Sequence, residues 1–209
     1  MKHFNLPRSL TVICAAIAGL GLIQTGCTVL EPKADNTKLY VLRPQPGEST
    51  NAPTPAKLPA AIRIGPGRLA AYLDVTPIVV QNGVNLVKQL DQHHWAEPLS
   101  KGISRVLAEN LAQRLQGARV IIYPEPANDT ELEIRYTVNQ LEGALNGPIE
   151  MNISWQIVNL SSGETLRAGI LVGDNAHTRH PSDVPAYVER MSAAIGVWAD
   201  GMAAAINSL

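Results

Sequence analysis

The stretch ELEIRYTVNQ, residues 131–140, decides the fold. Successive side chains on an extended strand point to opposite sides. Leu132, Ile134, Tyr136 and Val138 therefore share one face, and Glu133, Arg135 and Thr137 the other. The alternation returns in EMNISWQIV, residues 150–158, where Met151, Ile153, Trp155 and Ile157 oppose Asn152, Ser154 and Gln156. Ser161-Ser162-Gly163 then turns the chain into a further strand near Thr165–Val172. Successive strands with one apolar face form an antiparallel meander, and that face needs a cover.

Two helices are placed to supply it. From Pro98 to Leu115, the residues Leu99, Ile103, Val106, Leu107, Leu111 and Leu115 fall on one stripe, with Lys101, Ser104, Arg105, Glu109 and Gln113 off it. Pro98 suits a first helical turn and Gly117 a C-terminal stop. The second helix begins near Asp183, a good N-cap, and runs to about Ile206. Its stripe is Val184, Tyr187, Val188, Met191, Ile195, Trp198, Met202 and Ile206. The rest is rich in Ala and Gly, which allows close approach to a sheet or to a neighbouring subunit. The expected fold is α+β: a mostly antiparallel sheet with two helices packed on one face.

Upstream, Leu39–Leu42, Ala61–Ile64 and Ile78–Val80 are short β-prone runs. Asn82-Gly83 signals a tight turn into a partner strand over Asn85–Leu90. Between the first two runs, residues 45–59 hold four prolines and read as a loop.

The N-terminus reads as an export signal. Lys2 and Arg8 precede an apolar run from Leu10 to Ile23, shorter than a membrane span and broken by Gly19 and Gly21. Gly26-Cys27 at its end fits a lipoprotein signal, in which the Cys27 thiol is acylated and becomes the mature N-terminus. Gln24 stands where that pattern prefers Leu; an ordinary secretory signal and an uncleaved anchor are the alternatives. Thr28, rather than Asp, follows the cysteine, which favours the outer membrane. The expected organisation is a signal over residues 1–26, a lipidated N-terminus and tether over 27–38, and a single periplasmic domain over 39–209.

Composition narrows the function. Without residues 1–26, 183 of the 209 residues remain, with 15 Lys and Arg against 18 Asp and Glu. This mild acidity argues against nucleic acid, which wants a basic face. The chain is 45% hydrophobic and 17% charged, enough apolar content for a packed core. Its two cysteines are Cys14, inside the signal, and Cys27, so the mature domain has no disulfide.

No residue pattern announces catalysis. There is no Gly-x-Ser-x-Gly elbow, and Gly65-Pro66-Gly67-Arg68 lacks the Gly-Lys-Ser/Thr ending of a phosphate loop. His93 and His94 are adjacent and diverge on any regular element, while His177 and His180 precede Pro181, where no helix is expected. No metal, cofactor or catalytic residue is assigned. Trp95, just before the first helix, has two readings: a staple packed on the helix start, or an exposed anchor at a protein interface, where Trp is enriched. Tyr72 and Leu73 share those readings. These three are the candidate partner-binding residues.

Several of these stretches also match a family. Leu39-Tyr40-Val41-Leu42, Ile64-Gly65-Pro66, Ala71-Tyr72-Leu73-Asp74, Ile78-Val79-Val80 and above all Trp95-Ala96-Glu97-Pro98-Leu99 leading into Arg105–Leu111 resemble the PqiC/YmbA-type auxiliary lipoproteins of ABC-type intermembrane transport systems. The resemblance implies a non-enzymatic envelope component. It implies a lipid anchor at Cys27, an outer-membrane location facing the periplasm, and an MCE-domain protein of the same lipid-transport system as partner. Its expected role is docking that complex in support of membrane integrity. A homo-oligomer is a further expectation, from the small-residue helix. The competing expectation is a periplasmic lipid carrier with its own apolar cavity.

Overall fold

Among the described residues, nine strands and two helices follow in the order β1 (Lys38–Tyr40), β2 (Ala61–Ile64), β3 (Arg68–Leu69), β4 (Pro77–Gln81), β5 (Val87–Trp95), α1 (Leu99–Arg114), β6 (Arg119–Ile122), β7 (Leu132–Glu142), β8 (Glu150–Asn159), β9 (Thr165–Asp174) and α2 (Val184–Asn207). The structure is a computed structural model and describes residues 35–47, 59–126, 130–174 and 181–209. The signal over residues 1–26, Cys27 and most of the tether, loop residues 48–58, and His177 and His180 lie outside the described residues. Residues Thr37–Leu209 form one compact unit.

The α+β class holds, and the alternating stretches pair as expected. β7 and β8 are antiparallel, with Ile134 opposite Ile157 and Tyr136 opposite Trp155, and β8 and β9 are antiparallel in turn. A register shift between Val138 and Gln140 moves the pattern by one residue, so Val138 and Leu141 are both fully buried. The departures lie upstream. The strands form two sheets rather than one, and both are mixed rather than purely antiparallel, with antiparallel pairing still predominant. In the larger sheet, ordered β6-β2-β7-β8-β9, β2 runs parallel to both β6 and β7. β3 continues beside β7, also parallel. The smaller sheet, ordered β1-β5-β4, has β1 parallel and β4 antiparallel to β5. Parallel neighbours need a long crossover, and the path from β2 to β6 carries the whole hairpin and α1.

Both helices cover the same face of the larger sheet, and Tyr136 of β7 shows how. Its hydroxyl lies 2.7 Å from Ser104 Oγ on α1. Ser104 donates its own proton to Ser100 O at 3.0 Å, so Tyr136 is the donor to Ser104. The Tyr136 ring meets Trp198 of α2 edge-on, with centroids 4.8 Å apart and planes at 74°. Such aromatic pairs contribute about 0.5–1.5 kcal/mol beyond their buried area. Burial pushes the Tyr136 phenol up to about 12.

Each helix begins as its sequence directs. Pro98 precedes α1, and its carbonyl accepts from Lys101 N and Gly102 N. Asp183 Oδ1 accepts from Ala186 N at 2.8 Å and caps α2. The expected stripe residues of both helices are buried. Several small residues of α2 face the chain's own interior, while Gly201 and Ala204 are exposed. Ala194 and Ala199 are fully buried, and a Cβ on Gly196 would come within 3.1 Å of Gln45. That close approach seats the segment after β1, which straps both helices: Arg43 N donates to Ser192 Oγ of α2, and Gln45 N to Asn110 Oδ1 of α1.

Between β2 and β3, Gly65-Pro66-Gly67 inserts one residue relative to β7: Ile64 pairs with Ile134, but Arg68 with Thr137. Pro66 has no N–H to give a ladder, and Gly67 lies flat against the Tyr136 ring. A Cβ on Gly67 would overlap the Tyr136 hydroxyl and ring carbons. Gly67→Ala should therefore destabilise the fold by about 1–3 kcal/mol, read as a lower urea midpoint. Tyr136→Phe should not rescue it, because ring carbons as well as the hydroxyl are in the way.

Candidate docking site around Tyr72 and Trp95

Trp95 ends β5 and belongs to the core. It is 6% exposed, and its backbone is held on two sides: Trp95 N donates to Thr76 O, and Ala96 N to Tyr40 O of β1. The residues that follow build a corner. Glu97 Oε1 accepts from Arg105 Nη2 of α1 at 2.6 Å. The same Nη2 donates to Leu42 O at 3.0 Å, so one guanidinium ties the helix to the corner and to the strap. Its hydrogen bond with Glu97 holds the Arg105 pKa above its ordinary value. Partly exposed ion pairs of this kind contribute at most about 1 kcal/mol; here the pair fixes direction more than stability. A cleft of about 410 Å³ opens beside the corner, lined by Asp74, Thr76, Trp95, Glu97 and Pro98 among others.

Leu73 is also in the core, at 2% exposed. Its N–H donates to Ala70 O, closing a tight turn that presents its neighbour Tyr72 at the surface. Tyr72 is 37% exposed. Of the three residues singled out from sequence, it alone is exposed. Trp95 meets the chain that follows Leu73 across the cleft, whereas the Tyr72 hydroxyl is turned towards β7.

That hydroxyl donates to Glu142 Oε2 at 2.9 Å. Leu141 N donates to the same oxygen at 3.0 Å. Glu142 is almost wholly buried, and burial, with the nearby Glu150 charge, pushes its carboxyl above the usual range against these hydrogen bonds. Burial first, then Glu142, raises the Tyr72 phenol as well. Next to Glu142, Gly143 N donates to the Tyr187 hydroxyl, which donates to Val79 O at 2.9 Å. The group joins the Tyr72 turn, β7, β4 and α2. Sequence reading gave no sign of Glu142, since an isolated acid near a strand end looks solvated.

A second cleft, about 900 Å³ and open, lies on the sheet face away from the helices. Glu133 is buried there between two cations: Arg63 pairs with it on one side, and Arg135 Nε donates to it at 2.6 Å on the other. Arg68 and Thr137 complete a polar wall. Elsewhere His93 Nδ1 lies 2.8 Å from the Tyr40 hydroxyl, and burial holds its pKa below the ordinary value. Among the described residues, no three His, Cys, Asp or Glu are grouped to hold a metal ion.

Comparison with known proteins adds to this geometry. A family model for the ABC-type transport auxiliary lipoprotein component matches residues 40–203. A crystal structure of an uncharacterized protein is similar at a TM-score of 0.63 and 16% identity, over 81% of this chain and 98% of that one. Protein XCC0632 from Xanthomonas campestris has the same TM-score at 11% identity, over 79% of this chain and 92% of its own. At these identities the two structures show a shared fold. No curated protein sequence matches the chain.

The Tyr72–Glu142 pair makes a pH signature. A carboxyl whose folded pKa is raised holds its proton more tightly in the fold than in the unfolded chain. Its contribution is complete below the unfolded value and falls as pH rises through the folded one. Relative to wild type, Glu142→Gln should thus gain stability as pH rises from about 4 to 7, seen as urea midpoints moving in the variant's favour. Tyr72→Phe should cost about 1–2 kcal/mol at pH 7 by removing a donor from a buried acid.

Proposed function

This chain belongs to the family of ABC-type transport auxiliary lipoproteins, and on that premise we propose that it is a non-enzymatic docking lipoprotein. It is held in the outer membrane by acylated Cys27 and faces the periplasm. There it receives an MCE-domain protein of the same lipid-transport system and so supports envelope integrity. The observation that carries this reading is the extent of the match: residues 40–203 take in nearly the whole compact unit, both sheets and both helices included.

Other features support it. No helix among the described residues is long and apolar enough to cross a membrane. The residues around Cys27 fit a lipid-acceptor site, and a diacylglyceryl cysteine with an added N-acyl chain exceeds the single chain that binds only marginally. Tyr72, beside the Trp95 corner, is the surface residue proposed to meet the partner, with Leu73 and Trp95 fixing its position from beneath. Self-association is part of the proposal, and the outer edge strand supplies a surface for it: Ile170 and Val172 of β9 are 67% and 70% exposed. The lipid-carrier reading has less support, because neither cleft described above is an enclosed apolar chamber.

Extraction of native membranes in mild detergent should recover the MCE-domain partner with the wild-type chain. With Tyr72→Arg, recovery should fall severalfold while the far-UV circular dichroism is unchanged. Intact mass should show acylation at Cys27, and Cys27→Ala should release the protein into the soluble periplasmic fraction. Wild-type chain purified without any MCE-domain protein would overturn the docking role.

A further inference from the structure

The β4–β5 hairpin is the most exposed part of the described chain. Every residue from Asn82 to Gln89 is exposed. The hairpin leaves the body at Gln81, whose N–H donates to Gly143 O at 2.8 Å. It turns through Gly83, at φ 151°, a value side chains rarely adopt. Three apolar residues crowd this turn. Val84 is 93% exposed, Leu86 57% and Val87 41%. Around them stand Asn82, Asn85 and Gln89, and Lys88 is the single charged residue between Val75 and Leu90. An apolar tip, a collar of amides, one cation and no acid match the layers of a bilayer interface, in which side chains reach about 5–10 Å to the acyl boundary.

The direction of the chain selects the occupant. β1 is parallel to β5, with Lys38 beside His93 and Tyr40 beside Trp95. The end of β1 at Lys38 is therefore directed the same way as the end of β5 at the hairpin tip. From Val87 to the level of His93 is six residues, or about 20 Å of strand. From Cys27 to Lys38 is eleven, or at most about 40 Å. An anchor at Cys27 thus leaves slack enough for the tip to reach the surface that holds the anchor. A two-stranded finger about 5 Å between strands is too narrow for a broad protein interface, but insertion in lipid needs no more than its tip.

We infer that the β4–β5 tip is a second membrane contact, with Val84, Leu86 and Val87 dipping into the phospholipid surface to which the N-terminus is tethered. The inference rests on the proposed anchor at Cys27 for its geometry. Two attachment points fix the orientation of the domain, where a single one does not.

The test uses the full chain in vesicles of phosphatidylethanolamine and phosphatidylglycerol. Leu86→Cys carries an environment-sensitive fluorophore, and Ser162→Cys, exposed in the β8–β9 turn at the opposite end of the larger sheet, carries the control. Cys27 is blocked by its lipid or, where intact mass shows a free thiol, replaced by Ala. Lipids brominated on their acyl chains should quench the label at position 86 at least fivefold more than the label at 162. Adding Val84→Asp should remove most of that difference. Both sites lie on the surface, so circular dichroism should be unchanged. An acylated chain whose position 86 escapes quenching would overturn the inference and leave the anchor standing. A label shielded from aqueous iodide yet beyond reach of brominated lipid would mean a protein contact and would also overturn it. Quenching at 86 in a chain whose mass shows no acylation would uphold the tip and remove the anchor. An unmodified chain with no quenching would remove both.

Discussion

The fold depends on Tyr136. Its side chain meets both helices, through the Ser104 hydroxyl on α1 and the Trp198 edge on α2. A buried phenol must satisfy its O–H, and the only place for it is the gap between the two helices. That requirement sets the height of α1 over the sheet. It also forces the residue beneath the ring to be without a side chain, which accounts for Gly67 and for the one-residue insertion between β2 and β3. A motif that looks like a failed phosphate loop is a seat for an aromatic ring.

Tyr187 and Tyr72 repeat the device at the end of β7. Each puts a hydroxyl into a buried site, and each serves a group left over by strand geometry: Tyr187 the Gly143 N–H and Val79 carbonyl, Tyr72 the Glu142 carboxyl. No cysteine lies among the described residues, and long-range polar ties of this kind hold the loops to the core. The corner at Trp95–Pro98 does the same through Arg105, which reaches the helix, the corner and the strap from one side chain. These ties hold the Tyr72 turn and the corner beside it at defined positions, as a docking surface requires.

Sequence alone reveals the parts whose information is local. The β7–β8–β9 meander is legible because its period of two is printed in consecutive residues, and the helices because stripe, Pro98 and Asp183 agree. The parallel pairing of β2 is not legible. AIRI and RVII are short apolar runs with no turn between them to fix direction, and their partnership depends on a crossover of more than fifty residues. The division into two sheets fails for the same reason. β5 is longer than its turn signal implies because β1 pairs with its far half, Lys38 opposite His93. Trp95 and Leu73 each have an anchor and a staple reading in sequence, and burial separates the two. Tyr72 is visible as an aromatic in a turn, but its partner Glu142 lies seventy residues away, beyond any local pattern.

The place of β2 also bears on how fast the molecule forms. Its partners begin at Arg119 and Leu132, so the centre of the larger sheet closes loops of about 60–70 residues before it returns any buried area. Helices assemble in microseconds, while pairings this distant belong to chains that fold in milliseconds to seconds. The rate is set by the search of a four-residue strand for its two neighbours, and changes that favour that encounter will speed folding more than any improvement to the helices.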